Sequence, residues 1–161
     1  MIFLGLGANL PSVAGEPAAT LLAALEVLRK SSVEVAQVSP FYRSVAWPNR
    51  GDPQFVNAVA KLRTRLPPEK LLNVLQITER KFGRIRGAPN APRTLDLDIL
   101  DFDGRIQTGP PELPHPRMTD RAFVLVPLKD VAPGWRHPVL HKTAAELIST
   151  LPPETPMPER L

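Results

Sequence analysis

The segment that most constrains the fold is a strongly apolar stretch, residues 92–100, that carries two carboxylates one residue apart. Alternate side chains of a β-strand share a face, so Asp96 and Asp98 are predicted to point to one side and the aliphatic residues beside them to the other. Two adjacent carboxylates raise each other's pKa unless a cation lies between them. Mg²⁺ suits this position because it takes one or two protein carboxylates together with substrate phosphates. For the Asp-x-Asp pattern alone, a strand with one solvated face stays the alternative.

Arginines gather just upstream of this strand, in a loop rich in glycine and proline that contains Arg84, Arg86 and Arg93. A guanidinium group binds phosphate oxygens bidentately, so we interpret the loop as an anion clamp. A solvated basic loop is the alternative. The carboxylates beside the loop favour a polyphosphate ligand. The sequence has neither a Gly-rich Lys-Ser/Thr loop nor a kinase His-Arg-Asp motif, which excludes those two phosphoryl-transfer architectures.

Length and composition indicate one domain that binds an anionic ligand. The 161 residues fit a single domain, predicted over 1–151, with a loose C-terminal tail over 152–161. The formal net charge of +4 suits a nucleotide or a nucleic acid. The absence of cysteine excludes disulfides and a thiol nucleophile. No apolar stretch is long enough to span a membrane and no signal peptide is recognisable, so we expect a cytoplasmic protein without a membrane partner.

The hydrophobic patterns predict strand, helix, strand, strand, helix, strand. The predicted strands are Ile2–Leu6, a long segment from Val33 to Val45 interrupted at Pro40, Phe55–Leu66 and the Asp-x-Asp strand, and the two helices begin at Pro17 and Pro67. This βαββαβ order is typical of a ferredoxin-like α+β sandwich, with one antiparallel sheet, helices on one face and the other face open for a site.

Two further helices are predicted after this unit, around Phe123–Lys129 and over Thr143–Leu151. Thr143 and Glu146 form a candidate capping box for the second of them.

A set of segments stands out in order along the chain: Gly7-Ala8-Asn9-Leu10, Phe41-Tyr42-Arg43-Ser44, Phe55-Val56-Asn57-Ala58, Glu79 with Gly83-Arg84-Ile85-Arg86, Pro92 to Leu100, Leu113 to Met118 and Arg121 to Leu128. The Arg-Thr-Leu-Asp-Leu-Asp-Ile string is highly specific, whereas Gly-Ala-Asn-Leu is weak alone. Together these segments resemble the 6-hydroxymethyl-7,8-dihydropterin pyrophosphokinase family of folate biosynthesis. The resemblance runs from Gly5 to about Leu151.

The resemblance implies transfer of the β,γ-pyrophosphoryl group of ATP to the hydroxymethyl oxygen of a dihydropterin, with release of AMP. It implies that Asp96 and Asp98 bind two Mg²⁺ ions that bridge the triphosphate, and that Arg84 and Arg93 stabilise charge on the phosphates. The positions that match the family's nucleotide-binding residues are Gln76, Glu79, Arg86, Ile99, His115 and Arg121.

The resemblance also implies the residues of the pterin site. A flat heteroaromatic ring needs aromatic faces and hydrogen bonds along its edge. Phe55 and Phe123 match the stacking pair, and Asn57 offers a donor and an acceptor to the ring edge. The loop that supplies backbone hydrogen bonds is matched by Ser44, Val45 and Trp47.

The chain departs from the family pattern in three places. The loop from Arg86 to Arg93 is one residue shorter than usual and has Asn90 or Ala91 where relatives often carry a tryptophan. Ala8 replaces a commoner serine. The stretch 109–112 lacks the basic and hydroxyl residues that contact nucleotide in some members.

Three other functions are compatible with parts of the sequence. A basic ferredoxin-like domain could bind RNA, but such modules need an aromatic-rich strand that is not visible here, so we expect no nucleic-acid partner. His137 and His141 have a zinc-like spacing, although Pro138 breaks a helix that would align them. A metal-dependent phosphoesterase could also use Asp-x-Asp with arginines. For the oligomeric state we expect a monomer.

Overall fold

The predicted sheet is present and antiparallel in the computed structural model of the chain, which describes residues 1–46, 48–85 and 87–161. Its strands are β1 (Ile2–Ala8), β2 (Glu34–Val38), β3 (Tyr42–Ser44), β4 (Phe55–Arg63), β5 (Asp96–Phe102) and β6 (Glu159–Arg160). The strand order is β5-β1-β4-β3-β6, and β2 also pairs with β4. The helices are α1 (Pro17–Arg29), α2 (Pro68–Lys81), α3 (Ala122–Val131) and α4 (Ala144–Ser149).

The predicted βαββαβ order and ferredoxin-like fold are confirmed, with shorter elements than expected. The long strand from Val33 to Val45 is two strands separated at the predicted interruption, because Pro40 lacks the N–H that a continuous strand needs there. The capping box of α4 is confirmed, since the Glu146 N–H donates to Thr143 Oγ1 at 3.2 Å and the Thr143 N–H is 3.4 Å from Glu146 Oε1.

One face of the sheet packs against α1 and α2. This core contains the inward side chains of β1, β4 and β5, among them Leu4, Leu62 and Leu97, with Leu25 and Leu71 from the helices. Each fully buried leucine contributes about 1.5–3 kcal/mol relative to an exposed one. The alternation therefore holds the aliphatic side chains of β5 in this core and turns Asp96 and Asp98 to the opposite face.

The second face is covered over part of its area, which corrects the prediction of an open face. The helices α3 and α4 form a second core there with Phe3 and Val59, and with Trp135 from the loop between the two helices. The rest of this face, toward Gly7 and Asp96, stays accessible and lines a cavity. The C-terminal helices thus restrict the candidate site to one end of the sheet.

A β-bulge changes the alternation of β5 after Ile99. The pairing shifts so that Leu4 lies opposite Ile99 and Phe3 opposite Asp101, with Leu100 as the extra residue. Asp101 therefore lies on the second face, where its carboxylate accepts a 2.8 Å hydrogen bond from Trp135 Nε1. The bulge supplies the acceptor that the buried indole of Trp135 needs.

The C-terminal residues are not a loose tail over their whole length, contrary to the prediction. Glu159 and Arg160 pair with β3, and the Leu161 N–H donates to the Phe41 carbonyl at 3.0 Å. The segment covers the free edge of β3. The extent of the domain, 1–151, stays a prediction.

Within the described residues, no helix has the length and apolar character needed to cross a bilayer.

His137 is buried beside Trp135, and its ring has a structural role. Its Nδ1 accepts hydrogen bonds from the Val139 and Leu140 N–H groups, both at 3.1 Å. Burial lowers the pKa of His137 from its ordinary 6.5, and the Asp101 carboxylate opposes this shift. The neutral ring is the form that can accept both bonds.

We expect the stability of the protein to fall as the pH falls below 6.5, in part through His137. The unfolded chain binds the proton first because the folded pKa is lowered, so the free energy of unfolding decreases by at most about 1.4 kcal/mol per pH unit for this one group. His137→Asn keeps an acceptor for the two N–H groups and does not titrate. Urea unfolding between pH 5 and 8 should show a smaller pH slope for this variant than for the wild type.

His141→Asn is the control, because His141 is exposed and its φ of 56° is a conformation that asparagine tolerates. The His141 charge is the smallest of the causes that act on the His137 pKa, so its removal should reduce the slope only slightly. An equal reduction of the slope in both variants would contradict the role of the His137 ring.

Candidate active site

The cavity lies where β1, β4 and β5 present small or polar side chains on the second face. In the pairing register, Gly7 of β1 lies between Asn57 of β4 and Asp96 of β5, and Gly5 lies opposite Asp98. The predicted site residues that line the cavity are Phe55, Asn57, Arg93, Asp96, Asp98, His115, Arg121 and Phe123. The pairing of β1 with β5 therefore brings together Gly7 and Asp96, which are 89 positions apart in the chain.

Two arginines bind the first carboxylate of the pair. Arg84 Nη1 lies 3.0 Å from Asp96 Oδ1, and Arg93 Nη1 lies 3.1 Å from Asp96 Oδ2. These three side chains are less than a quarter exposed, so the charges attract each other more strongly than exposed pairs do. Both oxygens of Asp96 are thus compensated by cations of the arginine loop.

The second carboxylate is short of positive charge. Burial and the negative charge of Asp96 raise the pKa of Asp98 to about 7, and the charge of Arg121 opposes the shift only in part. A carboxylate with this pKa is half protonated at neutral pH, whereas a cation beside it would restore the ionised form. The pair has the electrostatics expected of a site for an added cation.

Arg84 and Glu79 support the edge of the sheet next to the pair. Arg84 Nη1 also donates to the Leu95 carbonyl at 2.8 Å, and it lies 3.4 Å from Glu79 Oε2. The same Glu79 oxygen accepts from the N–H of Leu97, the residue between the two aspartates, at 2.9 Å. Glu79 is buried, so its carboxylate holds β5 in place from α2.

His115 lies next to Asp98 as a neutral imidazole. Burial and the nearby Arg121 charge lower the pKa of His115 to about 4. Its Nδ1 accepts from the Arg117 N–H at 3.2 Å, so the ring proton is on Nε2, which is 3.9 Å from Asp98 Oδ2. This distance is too long for a hydrogen bond, and the neutral ring makes no ion pair with Asp98. The Nε2–H is a donor available to a ligand.

Two phenylalanines form the other end of the cavity. Phe55 begins β4 and Phe123 lies in the first turn of α3, and both line the same space. The Arg93 guanidinium lies 5.8 Å from the Phe55 ring centre, and the Arg121 guanidinium 5.6 Å from that of Phe123. The aromatic end and the cationic end of the cavity therefore adjoin.

Asn57 lies beneath this aromatic end and is 6% exposed. Its Nδ2 donates to Ser44 Oγ at 2.8 Å, which fixes the orientation of the amide. Gly7 makes room for it, since a Cβ at that position would lie 2.8 Å from Asn57 Oδ1. The amide oxygen of Asn57 therefore occupies the space above Gly7, on the cavity side of the sheet.

Six predicted site residues within the described part of the chain are not among those that line the cavity: Ser44, Val45, Gln76, Glu79, Arg84 and Ile99. Ser44 acts through Asn57, and Glu79 through Leu97 and Arg84. The Ile99 side chain is buried in the first core, so only the backbone of this residue could meet a ligand. The predictions for Trp47 and Arg86 fall outside the described residues. Asn90 lines the cavity with a left-handed φ of 63°.

Sequence reasoning missed Gly7 and Asn9 as parts of the site. Asn9 is 3% exposed, and its side chain binds two loops that reach the cavity. The signal available in the sequence was a short Gly-Ala-Asn segment directly after a buried strand, which is a weak pattern by itself.

We expect Asp96→Asn to lower the pKa of Asp98, because the substitution removes the like charge that contributes to its shift. The pKa should fall below about 7 but stay above its ordinary value of 3.8, since burial, the larger cause, is unchanged. Carboxyl ¹³C NMR titration measures this value. Asp103→Asn, at an exposed turn, is the control; an unchanged Asp98 pKa in the Asp96 variant would contradict the coupling.

Comparison with known proteins agrees with this geometry. The profile of the 7,8-dihydro-6-hydroxymethylpterin-pyrophosphokinase family matches residues 3–133. The chain is 39% identical to the 2-amino-4-hydroxy-6-hydroxymethyldihydropteridine pyrophosphokinase of Synechocystis, over 90% of this chain and 73% of the relative. It is 42% identical to the enzyme of the same name from Pseudomonas aeruginosa, over 85% of this chain and 83% of the relative.

The fold is also similar to solved structures. The wild-type HPPK-DHPS of Plasmodium falciparum superposes with a TM-score of 0.69 at 15% identity, over 92% of this chain and 44% of the plasmodial chain. At this identity the likeness concerns the fold alone. This chain spans less than half of that longer protein and 18% of the folic acid synthesis protein of Pneumocystis carinii, to which it is 38% identical.

The family match over most of the chain and the two relatives confirm the resemblance read from the motifs: the chain belongs to the 7,8-dihydro-6-hydroxymethylpterin-pyrophosphokinase family.

Proposed function

We propose that the cavity holds ATP at its cationic end and a dihydropterin at its aromatic end. As a member of its family, the protein transfers a pyrophosphoryl group from ATP to 6-hydroxymethyl-7,8-dihydropterin in folate biosynthesis. The assignment of the site rests on one observation: a single cavity is lined by paired carboxylates, arginines, two phenylalanines and a buried amide.

The aromatic end suits the pterin. Phe55 and Phe123 can stack on a flat heterocycle, and the amide of Asn57 can bind its edge. Ser44 keeps this amide oriented through the hydrogen bond to Nδ2, so a pterin meets a pre-positioned oxygen. Rigid support of this kind lowers the entropic cost of binding.

The cationic end suits the triphosphate. In the unliganded structure, Arg84 and Arg93 form ion pairs with Asp96. Guanidinium groups bind phosphate oxygens with the same fork geometry that they use for carboxylates. We propose that these arginines move from Asp96 to the phosphates when ATP binds. The neutral His115 then donates its Nε2–H to a phosphate oxygen, and Arg121, whose guanidinium makes no ion pair within the described part of the chain, adds further positive charge.

The donor set fits magnesium. Within residues 1–46, 48–85 and 87–161 no cluster of three or more His, Cys, Asp or Glu side chains could hold a metal. Two carboxylates supplemented by phosphate oxygens and water match the preference of Mg²⁺, and the raised pKa of Asp98 reflects the need for a cation. We propose that Asp96 and Asp98 hold two Mg²⁺ ions, which neutralise charge on the triphosphate.

These contacts position the reaction. The hydroxymethyl oxygen of the pterin attacks the β-phosphorus of ATP, and its proton passes to solvent water. The bond between the β-phosphorus and the oxygen that bridges the α- and β-phosphates breaks, and AMP leaves with that oxygen. Arg84 and Arg93 stabilise the charge that develops on the phosphates. Catalysis by such a site consists mainly of alignment and charge stabilisation.

Product analysis tests this function. With ATP, Mg²⁺ and 6-hydroxymethyl-7,8-dihydropterin, we expect AMP and a pyrophosphorylated pterin in equal amounts, measured by chromatography and ³¹P NMR. Asp98→Asn should reduce turnover by about 100-fold or more, the scale of losing one group that stabilises the transition state. ADP or free phosphate as the main product would indicate a different phosphoryl-transfer or phosphoesterase activity instead.

Gly7→Ala should weaken pterin binding, because its Cβ would displace the Asn57 amide. We expect about tenfold lower affinity by calorimetry, the scale of one lost hydrogen bond. Gly5→Ala also adds one methyl group to the cavity wall, but its Cβ would meet only the Leu100 side chain, at 3.4 Å or more, which is an ordinary van der Waals contact. Equal effects of the two substitutions would argue against the Asn57 role.

A cytoplasmic location, a monomeric state and the lack of a nucleic-acid partner stay predictions.

A further inference from the structure

The first residue after β1, Asn9, lies at a point where two parts of the active site meet. The end of β1 pairs with the beginning of β4 on one side, where Ala8 lies opposite Val56, and with the beginning of β5 on the other, where Gly7 lies opposite Asp96. Antiparallel pairing therefore places the residue after β1 between the two segments that enter β4 and β5.

The side chain of Asn9 binds both segments. Its Oδ1 accepts from the Arg93 N–H at 2.8 Å, and its Nδ2 donates to the Pro53 carbonyl at 3.0 Å. The Arg93 carbonyl in turn accepts from the N–H groups of Asn9 and Leu10 at 3.1 and 3.2 Å. One buried amide thus uses its acceptor for one loop and its donor for the other.

The two segments lead to the two adjoining parts of the cavity, the aromatic end and the cationic end. Pro53 precedes Phe55, one of the two aromatic rings, by two residues, and Arg93 binds Asp96 at the cationic end. Because Asn9 is 3% exposed, a hydrogen bond lost from its amide cannot be replaced freely by solvent water.

We propose that Asn9 is a positioning residue that sets the separation between the pterin end and the nucleotide end of the active site. The inference rests on the proposed function and extends it. Asn9 does not line the cavity, so its effect on the reaction passes through Pro53 and Arg93. Because Asn9 is not among the lining residues, we expect each end to keep its own ligand contacts without the bridge, whereas alignment of the hydroxyl with the β-phosphorus requires both ends in register.

The test separates alignment from binding. In Asn9→Ala we expect kcat to fall by about tenfold to hundredfold, the scale of a small misalignment of reactants, while the Kd of ATP·Mg and the Kd of the pterin, each measured alone by calorimetry, change by less than about threefold. Asn9→Asp, assayed at pH 8.5 so that its carboxylate is ionised, keeps the acceptor for the Arg93 N–H but cannot donate to Pro53. This variant should also lose most of kcat.

Ser39→Ala is the matched control. Ser39 is 5% exposed, and its Oγ accepts from the Val59 N–H at 2.9 Å, so the substitution also removes a buried hydrogen bond, at a residue that does not line the cavity. It should lower Tm by a similar amount and leave kcat unchanged.

Wild-type kcat in either Asn9 variant would overturn the proposal, as would a loss of both single-ligand affinities as large as the loss of kcat. If the wild-type protein forms neither AMP nor a pyrophosphorylated pterin, the proposed function is refuted instead. The two failures are therefore distinguishable.

Discussion

The repulsion between the Asp96 and Asp98 carboxylates is the constraint on which the rest of the site depends. Strand alternation turns both groups to the same face, and burial strengthens their repulsion. The structure compensates one of them with Arg84 and Arg93 and leaves the other with a pKa of about 7. The unliganded site is therefore held together by arginines at the place where the proposed nucleotide and its metal ions bring their own charges.

The central strand β1 makes this arrangement possible because it contributes almost no side-chain volume at the site. Gly5 and Gly7 lie between Asp98 and Asp96 on one side and Val59 and Asn57 on the other. The cavity is thus a gap in the wall of side chains above the sheet, bordered by α3, rather than a cleft between two domains. Its two ends adjoin, as a direct transfer between two bound substrates requires.

Much of this could be predicted from the sequence, because the relevant patterns are local. The order of strands and helices and the faces of β4 and β5 follow from hydrophobic periodicity, and the carboxylates and arginines are adjacent in the chain. Predictions failed where distant segments decide the outcome. Residues 159–160 pair with β3, and α3 and α4 cover part of a face expected to be open, because the partners of these segments lie far away in the chain. The Ile99 side chain points into the first core, so a contact of this residue with the nucleotide stays a prediction that concerns its backbone.

The sequence by itself determined the fold class, the family and the chemistry of the site, since residue type and spacing specify which groups share a strand face. Only the tertiary structure decided which groups meet across strands: that Gly7 gives Asn57 its space, that a bulge turns Asp101 toward Trp135, and that the Asn9 amide joins two loops. These contacts join residues that are 34 to 84 positions apart in the chain. They depend on the pairing register and on the direction of the backbone, which a local sequence pattern does not specify.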